Sequence, residues 1–536
     1  MKRFYALIAA AVLFLPVWAG GIVTNTNHSA MYTRMQCRDA TTEIDAVYYN
    51  PAGLTKISNG LHISLNNQSI WQTRMIGTDY PMLTGTPRDY EAKISAPLFP
   101  AVYAAFKFGK FAISAGFNPI GGGGSAAYED GVPSFEYGPS DLVPILAAQG
   151  AQGYRMGVNF EGSSVFFGYQ ANLSYKINDM ISVAVGGRLV TAKETYTGYL
   201  KDIELNMGGT WMPASTVFTG AATQATAGAA SLTTAATGLQ TAIDGMPVIG
   251  DMIVSDLGIQ GALGLIGYTP AQIAATTNSQ AVLAMNGAAS AYTATAQQAT
   301  ATAGLLQDQE VDAEKTATGI TPIVSINISP LPILDVAVKY EFKTALEFTN
   351  NTTSDVTTGF DPLSGAPVTM FPDGAKTHLD IPAMLSVGAS VHPGPLTVNA
   401  GFHYYFDEKA DWDGREALLD RGLYEIALGA QFNMGLMAVS AGWLMTSTGV
   451  QEAYQTDLSY SLNTNTIGGG LELHLSPLID VNLAASYTIY AEGLKNFKRE
   501  VGGTGVTGVI NDVAETYNKD VFIVAVGVNL HFATGD

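Results

Sequence analysis

Leu396-Thr-Val-Asn-Ala-Gly-Phe-His-Tyr-Tyr-Phe406 separates into two interleaved sets. One parity reads Leu396, Val398, Ala400, Phe402, Tyr404 and Phe406; the other reads Thr397, Asn399, Gly401, His403 and Tyr405. Successive side chains of a strand point to opposite faces, so this stretch makes a ribbon with one oily, aromatic face and one small, polar face. Its neighbours obey the same arithmetic. Ile381, Ala383, Leu385, Val387, Ala389 and Val391 oppose Pro382, Met384, Ser386, Gly388 and Ser390, and Val481, Leu483, Ala485, Tyr487 and Ile489 oppose Asn482, Ala484, Ser486 and Thr488. Within residues 334–342 the second parity carries Asp335, Lys339 and Glu341.

Working outward, about fourteen such segments recur, near residues 60–73, 98–109, 111–119, 164–177, 180–196, 317–329, 333–348, 378–392, 395–407, 421–433, 436–447, 461–475, 479–492 and 519–532. Many joined pairs share a tight turn, as at Phe108-Gly109-Lys110, Asn178-Asp179 and Pro393-Gly394, whereas the alternate connections are long. Short turns at one end and long loops at the other are the asymmetry of outer-membrane barrels. A soluble sandwich or propeller also alternates, but its solvent face carries Lys, Glu and Thr. Here the polar parity is Gly, Ser, Ala and Asn, which suits a curved lumen. Phe402, Tyr404 and Phe406 gather at a strand end, where an interfacial girdle belongs. Phe522, Val524, Val526, Val528, Leu530 and Phe532 share one face of the final segment. This resembles the aromatic-ended terminal strand read by the barrel-assembly machinery, although four residues follow Phe532.

The bulk numbers agree with an exported barrel. Lys2 and Arg3, the apolar residues 6–16 and Val17-Trp18-Ala19 form a signal-peptide pattern over residues 1–19, too short for a spanning helix. Hydrophobic residues reach 47% and charged residues only 13%, about half the usual charged share, yet no run after Ala19 is long and apolar enough to span. Forty-six acidic against 26 basic residues give a net charge of −20, which argues against nucleic acid as a partner. The single cysteine, Cys37, excludes an intramolecular disulfide and a thiolate metal cluster.

One region departs from the pattern. Residues 202–314 contain no Lys or Arg and are rich in Ala, Thr, Gly and Gln. Residues 221–243, 270–286 and 288–307 read as helices, and apolar clusters at 252–254 and 263–266 favour an ordered loop over a disordered insert.

Nothing suggests an enzyme. No Gly-x-Ser-x-Gly elbow and no His-Glu-x-x-His spacing occurs, and Gly121 to Gly124 lacks the Lys-Ser/Thr of a phosphate loop. His403, His474 and His531 fall on the lumen parity. No catalytic residue, metal or cofactor is expected. An outer-membrane lipid hydrolase and an adhesin built on the long loop remain the alternatives from other classes.

Residues 20–53, GGIVTNTNHSAMYTRMQCRDATTEIDAVYYNPAG, resemble the N-terminal hatch of the FadL family of hydrophobic-compound transporters, which includes TodX-like aromatic transporters. The resemblance lies in the Gly-apolar start, Ser29-Ala30 followed by Arg34, Asp45-Ala46, and Asn50-Pro51-Ala52-Gly53 just before the first strand. Residues 171–179, 336–343, 379–383 and 426–429 extend it along the chain, and the long insert departs from it. The resemblance implies an all-β, 14-stranded antiparallel transmembrane barrel (59–536), plugged by a hatch (20–58), with a long, partly helical extracellular loop (202–316). It implies an apolar groove formed by residues 202–314 and 350–375, a deeper site, and a kinked wall strand that opens sideways. The function implied is passive passage of small hydrophobic molecules across the Gram-negative outer membrane. Long-chain fatty acids come first as ligand, and aromatic hydrocarbons are the alternative.

Candidate ligand residues follow from the same resemblance. Ile22 takes the hatch tip, and Lys193 aligns with the family's basic residue on strand five. Arg188 has the lumen parity that Lys193 lacks, and Arg415 and Arg421 flank a second basic position. Each cation has the alternative reading of a rim charge against lipopolysaccharide phosphates. The expected surroundings are membrane lipid and lipopolysaccharide, and the expected state is a monomer.

Overall fold

The computed structural model describes residues 29–361, 364–501 and 508–533. The signal-peptide expectation for residues 1–19, and Ile22, lie outside them. Among the described residues fourteen wall strands run in chain order: β1 (Gly60–Thr78), β2 (Arg88–Phe108), β3 (Phe111–Tyr128), β4 (Ala151–Lys176), β5 (Ile181–Met207) and β6 (Gln309–Leu331). β7 follows in two pieces (Leu334–Glu341, Glu347–Ser354), as does β8 (Lys376–His378, Met384–Val391). Then come β9 (Leu396–Tyr405), β10 (Tyr424–Asn433), β11 (Met437–Ser447), β12 (Thr464–Ser476), β13 in two pieces (Ile479–Tyr490, Gly493–Val501) and β14 (Val509–Ala533). Each pairs antiparallel with its neighbours, and β14 pairs with both β13 and β1, which closes the sheet. Closure removes the open edge that lipid cannot solvate.

The belt can be measured along the seam. Leu61 faces Phe532 and Trp71 faces Phe522 in register, and all four side chains are exposed. Ten residues at about 3.3 Å each, tilted near 40°, give an apolar band of about 25 Å. Rings mark both margins. Phe106, Phe108, Phe111 and Tyr175 form a chain with centroids 5.8, 5.8 and 4.9 Å apart at the short-turn end, and Trp71 stacks on Phe522 at 5.9 Å near the loop end.

Several strands are longer than their alternation suggests. β2 begins at Arg88 and β3 runs to Tyr128. Above the belt the pattern reverses: Asp89, Glu91 and Lys93 point out while Tyr90, Ala92 and Ile94 are buried. There the wall meets water, so an oily outer face no longer marks a strand. Two predicted strands are broken, at residues 342–346 of β7 and 379–383 of β8.

The loops carry the helices. The β3–β4 loop holds α3 (Pro133–Ile145). The long insert is an ordered hairpin of α4 (Ala214–Gly245) and α6 (Asn278–Leu305), with α5 (Leu257–Leu265) at its tip. At 1.5 Å per residue, the 32-residue α4 is about 48 Å long. Ala222, Phe218, Ala299 and Ala303 pack at its base, and Leu232, Ala236, Ala281 and Met285 further out. Of the expected helices 270–286 and 288–307, residues 278–305 form the single α6, because Thr277 and Gln280 form a capping box that sets its start, while Pro270–Ile273 make a separate helical turn. No helix among the described residues is long and apolar enough to cross a membrane.

Residues 29–56 lie inside the wall. They comprise α1 (Ala30–Met35), α2 (Ala46–Tyr49) and a 3₁₀ helix (Pro51–Lys56), and almost every side chain is buried. Ser29 caps α1, its Oγ accepting from the Tyr32 amide at 3.0 Å.

Candidate functional site

The lumen is organised by how the inner segment is fastened. Arg34, fully buried, donates to Glu472 at 3.0 Å, Ser440 at 2.8 Å and Asn482 at 2.9 Å, and also to Gln431. Four strands, β10 to β13, are thereby tied to α1. Asn50 donates to the Thr41 carbonyl at 3.0 Å and to Asn327 at 2.8 Å, and Ser174 and Ser182 donate to the carbonyls of Pro51 and Ala52. A Cβ on Gly53 would lie 2.5 Å from both Asn50 Nδ2 and the Thr41 carbonyl, so only glycine completes that turn. His403 bridges Asp39 at 2.5 Å and Glu425 at 2.8 Å.

Close approach requires glycine on the wall as well. A Cβ on Gly442 or Gly468 would overlap the carbonyl oxygens of Met35 or Thr33, and one on Gly388 or Gly401 would overlap Asp39. The small residues of the polar parity are therefore the seat of residues 33–39.

Above this seat is a cavity of about 300 Å³. Its floor includes Tyr32, Thr33 and Gln36, its walls Ile70, Leu444, Leu462, Val521 and Ile523, and its upper rim Arg74, Tyr460, Tyr490 and Lys519. Phe99 of β2 and Gly122 of β3 also line it. Between those two strands the ladder is interrupted. Lys93 pairs with Ala127, and the next pair is Val102 with Phe117. β3 departs because its register to β4 slips twice, between Pro119 and Gly121 and between Gly122 and Gly124. Gly122 (φ 91°) and Gly124 (φ 81°) take the left-handed backbone that the two bulges need. The interruption faces β1 residues 68–72, in the outer half of the belt. The cavity thus lies above the inner segment and borders, through Phe99 and Gly122, the unladdered place in the wall.

The cations expected at the site are all engaged. Arg188 is buried, doubly bonded to Glu341 at 2.7 and 3.1 Å and to Gln170 Oε1 at 2.7 and 3.0 Å, with its guanidinium 4.8 Å from the Tyr48 ring. It joins β4, β5 and β7 to α2. Lys193 is on the outer face, paired with Glu314 at 2.7 Å. Arg415 lies over Tyr454 at 4.1 Å and donates to Ser459 and the Tyr454 carbonyl; Arg421 lies over Tyr424 at 4.6 Å and donates to Ser447. The structure brings none of these four to the cavity lining. The lining cations are Arg74 and Lys519, which the alternating pattern does not single out: Arg74 lies one residue beyond the segment 60–73, and Lys519 is the first residue of 519–532.

A closed barrel with an oily belt, a filled lumen and bulged side wall is an outer-membrane-type β-barrel. Within that class its fold is that of the FadL-type transporters. The crystal structure of a Pseudomonas aeruginosa FadL homologue covers 96% of this chain and 100% of its own, with a TM-score of 0.56 at 12% identity. A TodX mutant described as a monoaromatic hydrocarbon channel covers 94% of this chain and 99% of its own, with a TM-score of 0.51 at 12% identity. No protein-family model matches the chain, and no curated protein sequence does.

Proposed function

We propose that this chain carries small hydrophobic molecules passively through the outer membrane, long-chain fatty acids among them, and releases them sideways through the β2–β3 interruption. The observation that carries the reading is the cavity that touches both the inner segment and the interrupted ladder. The names of the fold neighbours, a FadL homologue and a hydrocarbon channel, support it and point away from an enzyme. Apolar walls recover about 25 cal/mol per Å² of solute surface removed from water, and a route needs each such contact to be escapable. In this reading residues 20–58 are the hatch, with Arg34, Asn50, Pro51, Ala52 and Gly53 as its fastenings. Arg188 positions the wall against it, and Lys193, Arg415 and Arg421 are rim cations.

The test is flux into proteoliposomes of labelled oleate and toluene, with and without deletion of Ile120 and Gly123, the two residues the β3–β4 ladder skips. Regularising β3 lets it pair with β2, and at least a tenfold fall in flux is expected. Undiminished flux through a folded, regularised barrel would refute the lateral route.

A further inference from the structure

We propose that Glu472, His474 and Asp480 form a binding site for a divalent transition-metal ion such as zinc at the short-turn mouth of the barrel, and that an ion there draws on the carboxylate that fastens Arg34. Register assembles the site. Glu472 and His474 stand two residues apart on one face of β12, and His474 is the direct partner of Asp480 on β13. Each of the three offers a ligand atom within 4.8 Å of the other two. Ligands about 2.1 Å from a tetrahedral zinc ion sit about 3.4 Å apart, so a small contraction of the three side chains completes the grip.

The donors are held as ligands are held. His474 Nδ1 lies 2.8 Å from Asp480 Oδ1, and His474 Nε2 is buried with no hydrogen-bond partner among the described residues, so the ring has a nitrogen to spare. Among the described residues Asp480 pairs with no Lys or Arg, whereas Asp335 and Glu341 on the same wall have Lys56 and Arg188. The second Asp480 oxygen accepts from His531 Nε2 at 2.8 Å. His531 Nδ1 meets His62 Nδ1 at 3.0 Å, and His62 Nε2 donates to the Ser58 carbonyl at 3.0 Å. Three of the chain's seven histidines thus converge from β1, β12 and β14. The outer two orient the inner carboxylate, as the partners behind metal ligands do.

An ion has a way in and an effect once there. His474, Asp480 and His531 are partly exposed at the end of the wall that carries the short turns, the periplasmic end of such a barrel. Glu472 lies deeper, buried and 3.0 Å from Arg34. A dication that takes a Glu472 oxygen competes with that guanidinium for one carboxylate, so filling the site weakens the tie between α1 and β12. Mixed imidazole and carboxylate donors suit zinc, whereas magnesium and calcium take oxygen ligands.

Zinc binding to the untagged full chain in nonionic detergent, read by competition with a chromophoric chelator, tests this. Wild type should take up one ion per chain in the presence of excess magnesium. His474→Ala and Asp480→Asn should each weaken uptake about a hundredfold. His531→Ala should weaken it about tenfold, and His531→Gln, which keeps a donor near the Nε2 position, should stay close to wild type. His378→Ala, which breaks the cluster of His378, Asp411 and Asp413 at the loop end, should change nothing. In wild type, zinc should speed amide exchange in residues 30–36 about tenfold, and in His474→Ala it should not. No uptake by wild type, uptake undiminished in a His474→Ala chain that migrates as folded on unheated gels, or uptake lost with His378→Ala overturns the site. If His474→Ala fails to fold, equal affinities of His531→Ala and His531→Gln overturn it. Zinc bound without faster exchange overturns the link to Arg34.

Discussion

Replacing Arg34 by Met tests how firmly the inner segment is held. The substitution keeps the side chain's length and removes its charge. It strands Glu472, whose side chain is only 6% exposed, and leaves Ser440, Asn482 and Gln431 without their donor. Removing one partner of a buried ion pair costs about 3–5 kcal/mol. The wall strands keep their ladders, so the loss falls on the docking of residues 29–40. Cys37 is a built-in reporter: it is 1% exposed, one residue past the helix cap, and the chain has no second cysteine. When closing is faster than modification, its labelling rate follows the open population. A shift of 3–5 kcal/mol raises that population between about a hundredfold and a few thousandfold. The assay is the rate of methanethiosulfonate labelling in detergent, followed by mass spectrometry. Adding Glu472→Leu to Arg34→Met removes the stranded charge and should restore most of the protection. A single variant labelled within threefold of wild type, or a double variant labelled as fast as the single, refutes the latch.

Two further predictions concern the seat and the loops. Gly442→Val places a Cβ on the Met35 carbonyl, so Cys37 should label at least a hundredfold faster while the barrel still migrates as folded on unheated gels; unchanged labelling would show that the segment has room to spare. Glu515, above the belt, accepts from the Tyr137 and Tyr517 hydroxyls, with Asp457 and Lys495 nearby. Burial pushes its carboxyl up from an ordinary 4.5 to about 7. A raised carboxyl favours the folded contact in its neutral form, so that stability is full below pH 4.5, declines as pH climbs toward 7, and is then lost, on the order of 3 kcal/mol in all. Hydrogen exchange in α3, corrected for the intrinsic rate, should show protection falling between pH 5 and pH 7.5. Glu515→Gln should flatten the profile, and a persistent slope in that variant would assign it elsewhere.

The parts of the fold that could be read in the sequence were those facing lipid. There each strand must be oily outside and small or polar within, so Leu396 to Phe406 and its neighbours announce themselves. Tyr90 and Glu91 do not, because above the belt the polarity of the two faces inverts and the strand resembles any soluble one. Parity alone puts Arg188 on the lumen face and Lys193 on the outer face; in the fold Arg188 is buried and Lys193 is exposed. Parity does not say whether an inward cation is already neutralised. Arg188 meets Glu341 from a strand more than a hundred residues away, and Arg74 meets Lys519 only because the last strand closes on the first. Such pairings depend on register between distant segments, which composition and spacing leave undetermined. The interruption between β2 and β3 was equally hidden, since Gly121 to Gly124 reads as a flexible stretch until its ladder partners are known.

The bare wall positions opposite Met35 and Asp39 have a mechanical corollary. Backbone lodged in notches cannot move along the axis like a piston, because each step would drive a carbonyl into the next side chain up or down. The segment can only come out by unravelling. Under the proposed lateral route, a solute would pass to the side of this fixed segment and leave it in place.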